Sequence, residues 1–391
     1  MQNRLQVNSA LERLGTETAF EVLARAEALA AEGKDVINLG IGQPDFKTPP
    51  HVVEAAMKAL QDGAHGYTPA AGIPALRQAV SEDLFKRHNA KVDPSQILIT
   101  PGAKPIMYFA ITIMGEPGAE IMYPNPGFPI YESMIEYTGA KAVPIELKED
   151  AGFAFDADTV LAQVNENTRL IIINSPANPT GGVVPKATLD KLVEGLEKFP
   201  NLVILSDEIY SQMLYDGENH VSLLNYESIR DRLIVIDGWS KTYAMTGWRL
   251  GYGVWPTSLF GYAERLAVNS YSCPNAASQH AGIAALTGPQ DQVGEMLEAF
   301  DTRRKAVVEG LNQIPNVTCV MPKGAFYAFP NISATGLNAR ELQQGLLEEA
   351  GVALVAGTSF GALGEGYLRV SYANSLENVE ESIKRIAKYL S

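Results

Sequence analysis

Five short apolar runs, Ile97–Thr100, Glu120–Tyr123, Leu170–Asn174, Leu202–Ser206 and Leu233–Ile236, constrain this chain more than any other feature. They show little alternation of apolar with polar residues. A strand with one wet face alternates, whereas a strand covered on both faces does not. Helical patterns separate most of the runs, Lys186–Lys198 among them. Strands alternating with helices predict an α/β unit with a mostly parallel sheet flanked by helices. Three amphipathic helices come first, at Ala19–Glu32, Val52–Asp62 and Pro74–Asn89. Gly33 and Gly63 stop the first two, and Pro74 opens the third where its missing N–H costs nothing.

The last third of the chain has a different texture. Asn316–Cys319 and Phe326–Phe329 read as sheet around Pro322 and Gly324. Ala339–Ala350 reads as a helix stopping at Gly351, and Tyr367–Tyr372 as a strand. A terminal helix, Leu376–Leu390, follows the cap residue Ser375 and carries Val379, Ile383, Ile386, Ala387 and Leu390 on one stripe. These elements predict a second, smaller α+β unit, with Gly288-Pro289 at the boundary. A chain of 391 residues has room for both.

Charge narrows the partners. With 31 Lys and Arg against 45 Asp and Glu, the formal net charge is −14. Such a surface disfavours nucleic acid and anionic membrane. A cation that matters must then be local and specific. Cys273 and Cys319 offer neither metal spacing nor a disulfide framework. Met1–Gly15 mixes charged and polar residues without an apolar signal core, and no segment approaches the roughly 18 apolar residues of a membrane helix. The expectation is a cytoplasmic protein with no metal site.

Open parallel sheets bind ligands at the carboxyl ends of their strands, so the residues just after each run carry the functional reading. Ile97–Thr100 leads into Pro101-Gly102-Ala103-Lys104 and then a helical stretch, a start that offers free backbone N–H groups to an anion. Leu170–Asn174 leads into Asn178-Pro179-Thr180-Gly181, and Leu202–Ser206 into Asp207-Glu208-Ile209-Tyr210. Leu233–Ile236 leads into Ser240-Lys241, with Arg249 downstream. Singly, each has an ordinary reading: Asn178 as a turn residue, Asp207 as a helix cap, Lys241 as a surface lysine, Arg249 as an ion-pair partner, Arg369 as an edge residue and Phe128 as packing.

Taken in order, they resemble the class I and II aminotransferases, fold-type I pyridoxal 5'-phosphate (PLP) enzymes. The resemblance is to the aspartate aminotransferase superfamily with a Gly-Gly-Lys-like pattern, and it runs from about Thr18 to Leu390. Its most specific pieces are Asn178-Pro-Thr-Gly, Asp207-Glu-Ile-Tyr210, Ser240-Lys-Thr-Tyr-Ala-Met-Thr-Gly-Trp-Arg249 and Arg369-Val-Ser-Tyr-Ala. It implies a large cofactor-binding domain over residues 46–287 and a small one from 1–45 and 288–391. It also implies that Lys241 binds the aldehyde cofactor through its amine and moves a proton, chemistry that needs an amine of depressed pKa. Asp207 would face the pyridine nitrogen and keep it protonated. Tyr210 and Asn178 would meet the ring oxygen, and Phe128 would stack on the ring, where many relatives carry a larger or more polar aromatic residue. Gly102, Ala103, Lys104, Ser240 and Arg249 would surround the phosphate. Gly238 stands where relatives often have a hydroxyl. Tyr67 matches a tyrosine that reaches the neighbouring subunit's phosphate, which implies a homodimer with shared sites. Arg369 would grip the α-carboxylate with its planar fork, close to Gly42.

For the substrate side chain, Lys104 is the clue. The matching lysine binds a distal carboxylate in the aspartate-using subgroup, so aspartate or glutamate is favoured, with aromatic, neutral or basic amino acids left open. Against it stand Glu17 and Ala19, which fall where that subgroup has hydroxyls; a second carboxylate would repel the substrate's. The small-molecule partners are then an L-amino acid and a 2-oxo acid. The same residues would serve a Cβ lyase, a decarboxylase or a synthase. A non-enzymatic regulator of this fold would add a basic helix-turn-helix, which this acidic chain lacks.

Overall fold

The computed structural model describes residues 5–391; Met1–Arg4, the start of the Met1–Gly15 stretch, lie outside them. In chain order the strands are β1 (Ile37–Asn38), β2 (Ile97–Thr100), β3 (Glu120–Asn125), β4 (Lys141–Glu146), β5 (Thr168–Asn174), β6 (Val203–Asp207), β7 (Leu233–Gly238), β8 (Gly251–Val254), β9 (Tyr327–Ala328), β10 (Val352–Ala353), β11 (Val355–Ala356) and β12 (Leu368–Ser371).

Seven of them form one sheet in the order β2-β8-β7-β6-β5-β3-β4. The run β7-β6-β5-β3-β4 is parallel, while β8 lies antiparallel to both β7 and β2. Its two faces feed separate cores. Along β5, Ile171 and Ile173 join one buried cluster and Leu170 and Ile172 the other. Burial on both sides explains why the runs do not alternate.

Two strands of this sheet carry no apolar run. β4 sits at the edge, where one side needs no partner; it tolerates Pro144 and charged ends at Lys141 and Glu146. β8 hides in Gly251-Tyr-Gly-Val. A Cβ at Gly251 would stand 2.5 Å from the amide nitrogen of Ala103, and one at Gly238 would stand 2.8 Å from the Cα of Gly251. Three backbones meet there, so only glycine fits, and a hydroxyl side chain at 238 has no room.

A third cluster contains Ile37 and Leu39, the helix residues Met296, Phe300 and Val307, and Tyr327, Val370 and Ile386. Here β11-β12-β9 form a small antiparallel sheet, and β1 runs parallel to β10 through Ile37↔Val352. The N-terminal segment is thereby stitched to the C-terminal third. The helix Asp291–Asn312, 22 residues long, has no counterpart among the elements expected from the sequence. Asn316–Cys319 departs from the expected strand: only Thr318 bridges, to Asn331, and Asn316 turns the chain with φ 65°. Phe326–Phe329 shortens to the two residues of β9, after Ala325 at φ 56°. Among the described residues no helix is long and apolar enough to cross a membrane.

Candidate active site

The strand register brings three chain ends together. Asn174 closes β5 opposite Asp207, which closes β6 opposite Ile236 of β7. Two residues past β7, Ser240-Lys241 turns back over this edge. A cleft of about 540 Å³ opens here, lined by Asn174, Asn178, Asp207, Tyr210, Ser240 and Lys241 from the large sheet's loops. Ala103, Lys104 and Phe128 join from neighbouring helix starts, Gly42 from the N-terminal segment, and Tyr327 and Arg369 from the small sheet.

Lys241 is buried, and its Nζ donates to the carbonyl of Gly42 at 2.6 Å. The ring centres of Tyr210 and Phe326 lie 6.0 and 5.8 Å from that nitrogen. Burial, with like charge from Arg369 and Arg249, lowers the amine to about 8. Asp207 is buried too. Its Oδ2 accepts from the Tyr131 hydroxyl at 2.6 Å, and its Oδ1 from the Ile209 amide at 3.3 Å. Burial nonetheless pushes the carboxyl up to about 6, against these bonds. Asn174 braces the same corner, donating from Nδ2 to the Asp207 carbonyl at 3.0 Å and accepting at Oδ1 from the Asn178 amide at 3.0 Å.

Arg369 lies flat between aromatic rings, its guanidinium carbon 4.7 Å from the centres of both Tyr327 and Phe360. Nη1 donates to Asn178 Oδ1 at 3.0 Å, and Nη2 to the Gly40 carbonyl. Its Nε is buried without a partner. The Tyr210 and Tyr327 hydroxyls meet at 2.8 Å, and burial raises both phenols. Around the other end, Gly102 adopts φ 79° and lies so close to the Arg249 guanidinium that a Cβ would collide with it. Arg249 Nη1 donates to the Thr246 carbonyl at 2.8 Å. The helix Lys104–Met114 begins beside them without a side-chain cap, leaving its first amides available.

Thirteen of the residues singled out in the sequence thus face one cleft: Glu17, Ala19, Gly42, Ala103, Lys104, Phe128, Asn178, Asp207, Tyr210, Ser240, Lys241, Arg249 and Arg369. Gly102 backs it through Arg249. Tyr67 does not enter it and is 94% exposed. Three contributors, Asn174, Tyr131 and Tyr327, are not among the site residues expected from the sequence. Asn174 ends an apolar run with a polar residue, the same signal that exposes Asp207. Tyr131 and Tyr327 carry no local signal, because only tertiary packing brings them to Asp207 and Tyr210.

The donor set suits PLP. The uncapped helix start with Arg249 and Ser240 fits a phosphate. Among the described residues the buried Asp207 carboxylate has no ion-pair partner, which a protonated ring nitrogen would supply. The orphaned Arg369 Nε points to a carboxylate that completes its fork. A strand-end lysine facing a buried aspartate over this sheet defines a fold-type I PLP enzyme.

Comparison with known proteins agrees. Residues 34–386 match the model of the family aminotransferase class I and II. The chain is 39% identical to the aspartate aminotransferase of Pyrococcus abyssi over 93% of each chain. It overlays a crystal structure of the aspartate aminotransferase from Rhizobium meliloti with a TM-score of 0.94, at 34% identity over 99% of each chain. It also overlays an aromatic aminotransferase from Pyrococcus horikoshii with a TM-score of 0.88, at 36% identity over 94% of this chain and 98% of that one. The chain belongs to the aminotransferase class I and II family and is a PLP-dependent transaminase.

Proposed function

We propose that this enzyme moves an α-amino group between an L-amino acid and a 2-oxo acid in two half-reactions, with aspartate or glutamate as one partner. The observation that carries this reading is Lys241: a buried amine near pKa 8, bonded only to a backbone carbonyl, in a cleft that also holds Asp207 and Arg369. The dicarboxylic partner is supported by Lys104 in the cleft and by the relatives named aspartate aminotransferase.

When bound, PLP would supply an aldehyde that captures the substrate's amine and a ring that accepts electrons from Cα. Gly102, Ala103, Ser240 and Arg249, with Lys104 at the helix start, would hold its phosphate. Asp207 would pair with the ring nitrogen, its carboxylate aligned by Tyr131. Tyr210 and Asn178 would bind the ring oxygen, and Phe128 would pack on the ring. Arg369 takes the α-carboxylate in its fork, beside Gly42, which places Cα within reach of Lys241. Lys241 Nζ, its pKa lowered to about 8, would be the base that takes the Cα proton and gives it back. Tyr327 and Phe360 keep the guanidinium flat and exclude water from it.

The domain division at 46–287 against 1–45 with 288–391 is supported by the separate buried cluster that joins Ile37 and Leu39 to the last third. Tyr67, outside its own cleft and 94% exposed, supports a homodimer in which it would reach the neighbour's phosphate site.

The experiment is a half-reaction. Holoenzyme mixed with glutamate alone should release one equivalent of 2-oxoglutarate per site and lose the aldehyde-form absorbance, which a 2-oxo acid restores. Continuous turnover without an acceptor, or release of carbon dioxide or ammonia, would overturn the reading.

A further inference from the structure

Glu17 is the residue before the helix Thr18–Ala31, and its carboxylate makes no capping bond. It reaches instead across the cleft mouth, where Lys104 Nζ donates to Oε1 in a close ion pair. Glu17 is 15% exposed at its side chain and Lys104 45%, and both line the cleft with Phe20, Ile41 and Phe128. The Lys104 ammonium also lies 5.5 Å from the centre of the Phe128 ring.

The lysine that would attract a distal carboxylate is therefore already neutralised. A dicarboxylic substrate must share Lys104 with Glu17 and bring a second negative charge beside the first. An uncharged side chain leaves the pair intact and meets the apolar flank of Phe20, Ile41 and Phe128. An ion pair this exposed is weak, so it discounts dicarboxylates without barring them. Resting on the aminotransferase reading above, we propose that Glu17 is a specificity-determining residue. It competes with the substrate's distal carboxylate for Lys104 and so broadens the enzyme's range to amino acids with uncharged side chains.

The test is Glu17→Gln, which keeps the side chain's shape and removes no capping bond. Two quantities are measured on holoenzyme: the ratio of kcat/KM for aspartate to that for phenylalanine, and the Kd of maleate, a dicarboxylate with no amino group to transfer. Both should move toward dicarboxylates by roughly tenfold, the effect of freeing one charge-assisted hydrogen bond. Values within about twofold of the parent would overturn the proposal. So would a full gain that survives in Glu17→Gln/Lys104→Met, because Glu17 would then act without Lys104. Maleate binding needs no turnover. If the parent transfers no amino group from any donor, the activity reading fails, while the maleate titration still decides the role of Glu17.

Discussion

At the deep end of the cleft, Asp207, Tyr131, Tyr210 and Tyr327 are all under 5% exposed and bond to one another in pairs. At the mouth, Lys104, half in solvent, and the partly exposed Glu17 stand at the starts of two helices. In the dry end, burial dominates and moves acid–base groups to where proton transfer needs them: Lys241 down to about 8 and Asp207 up to about 6. In the wet end water screens charge, so interactions are small and adjustable. One end should serve every substrate alike, and the other should sort them.

Substitutions at the deep end should therefore depress all donors together. Lys241→Ala removes the buried amine placed to carry the proton. It should cut single-turnover transfer at least about 10⁴-fold for aspartate and phenylalanine alike, while PLP still binds without its covalent link. Residual activity that differs between donors would break the comparison. Arg369→Lys exchanges a planar fork for a point charge, and kcat/KM should fall about 10²-fold or more for every donor with their ratio kept.

The amine's pKa gives a pH test. Only neutral Lys241 attacks an aldehyde, and burial with neighbouring Arg369 depresses its pKa from 10.5 to about 8. The rate at which cofactor-free protein captures an aldehyde should thus rise about tenfold from pH 7 to pH 9 and then level off. A midpoint near the ordinary lysine value would mean that water reaches the deep end. The smallest effect belongs to Tyr131→Phe. Losing one hydrogen bond should slow kcat about fivefold for all donors. That bond holds the Asp207 carboxyl down, so its loss should also raise the pH at which activity disappears on the acid side.

The sequence is most informative where burial is most complete. β5, β6 and β7 are covered on both faces, so they appear as unbroken apolar runs, and the residues that end them, Asp207 and the Ser240-Lys241 turn, announce themselves by contrast. β4 is silent because an edge strand need not be apolar, and β8 because close backbone packing demands glycine instead of large side chains. In the small sheet β12 falls on an expected strand, Tyr367–Tyr372; β9 and β11 have two residues each and leave no period to read. Tyr131 and Tyr327 illustrate the remaining limit. Each is an aromatic residue among many, and its partner lies 76 or 117 positions away along the chain.

The carbonyls of Gly40 and Gly42 hold Arg369 and Lys241 respectively, two links apart on one extended thread. A substitution that bends residues 40–42 would therefore disturb the carboxylate fork and the amine at once, although it touches neither side chain.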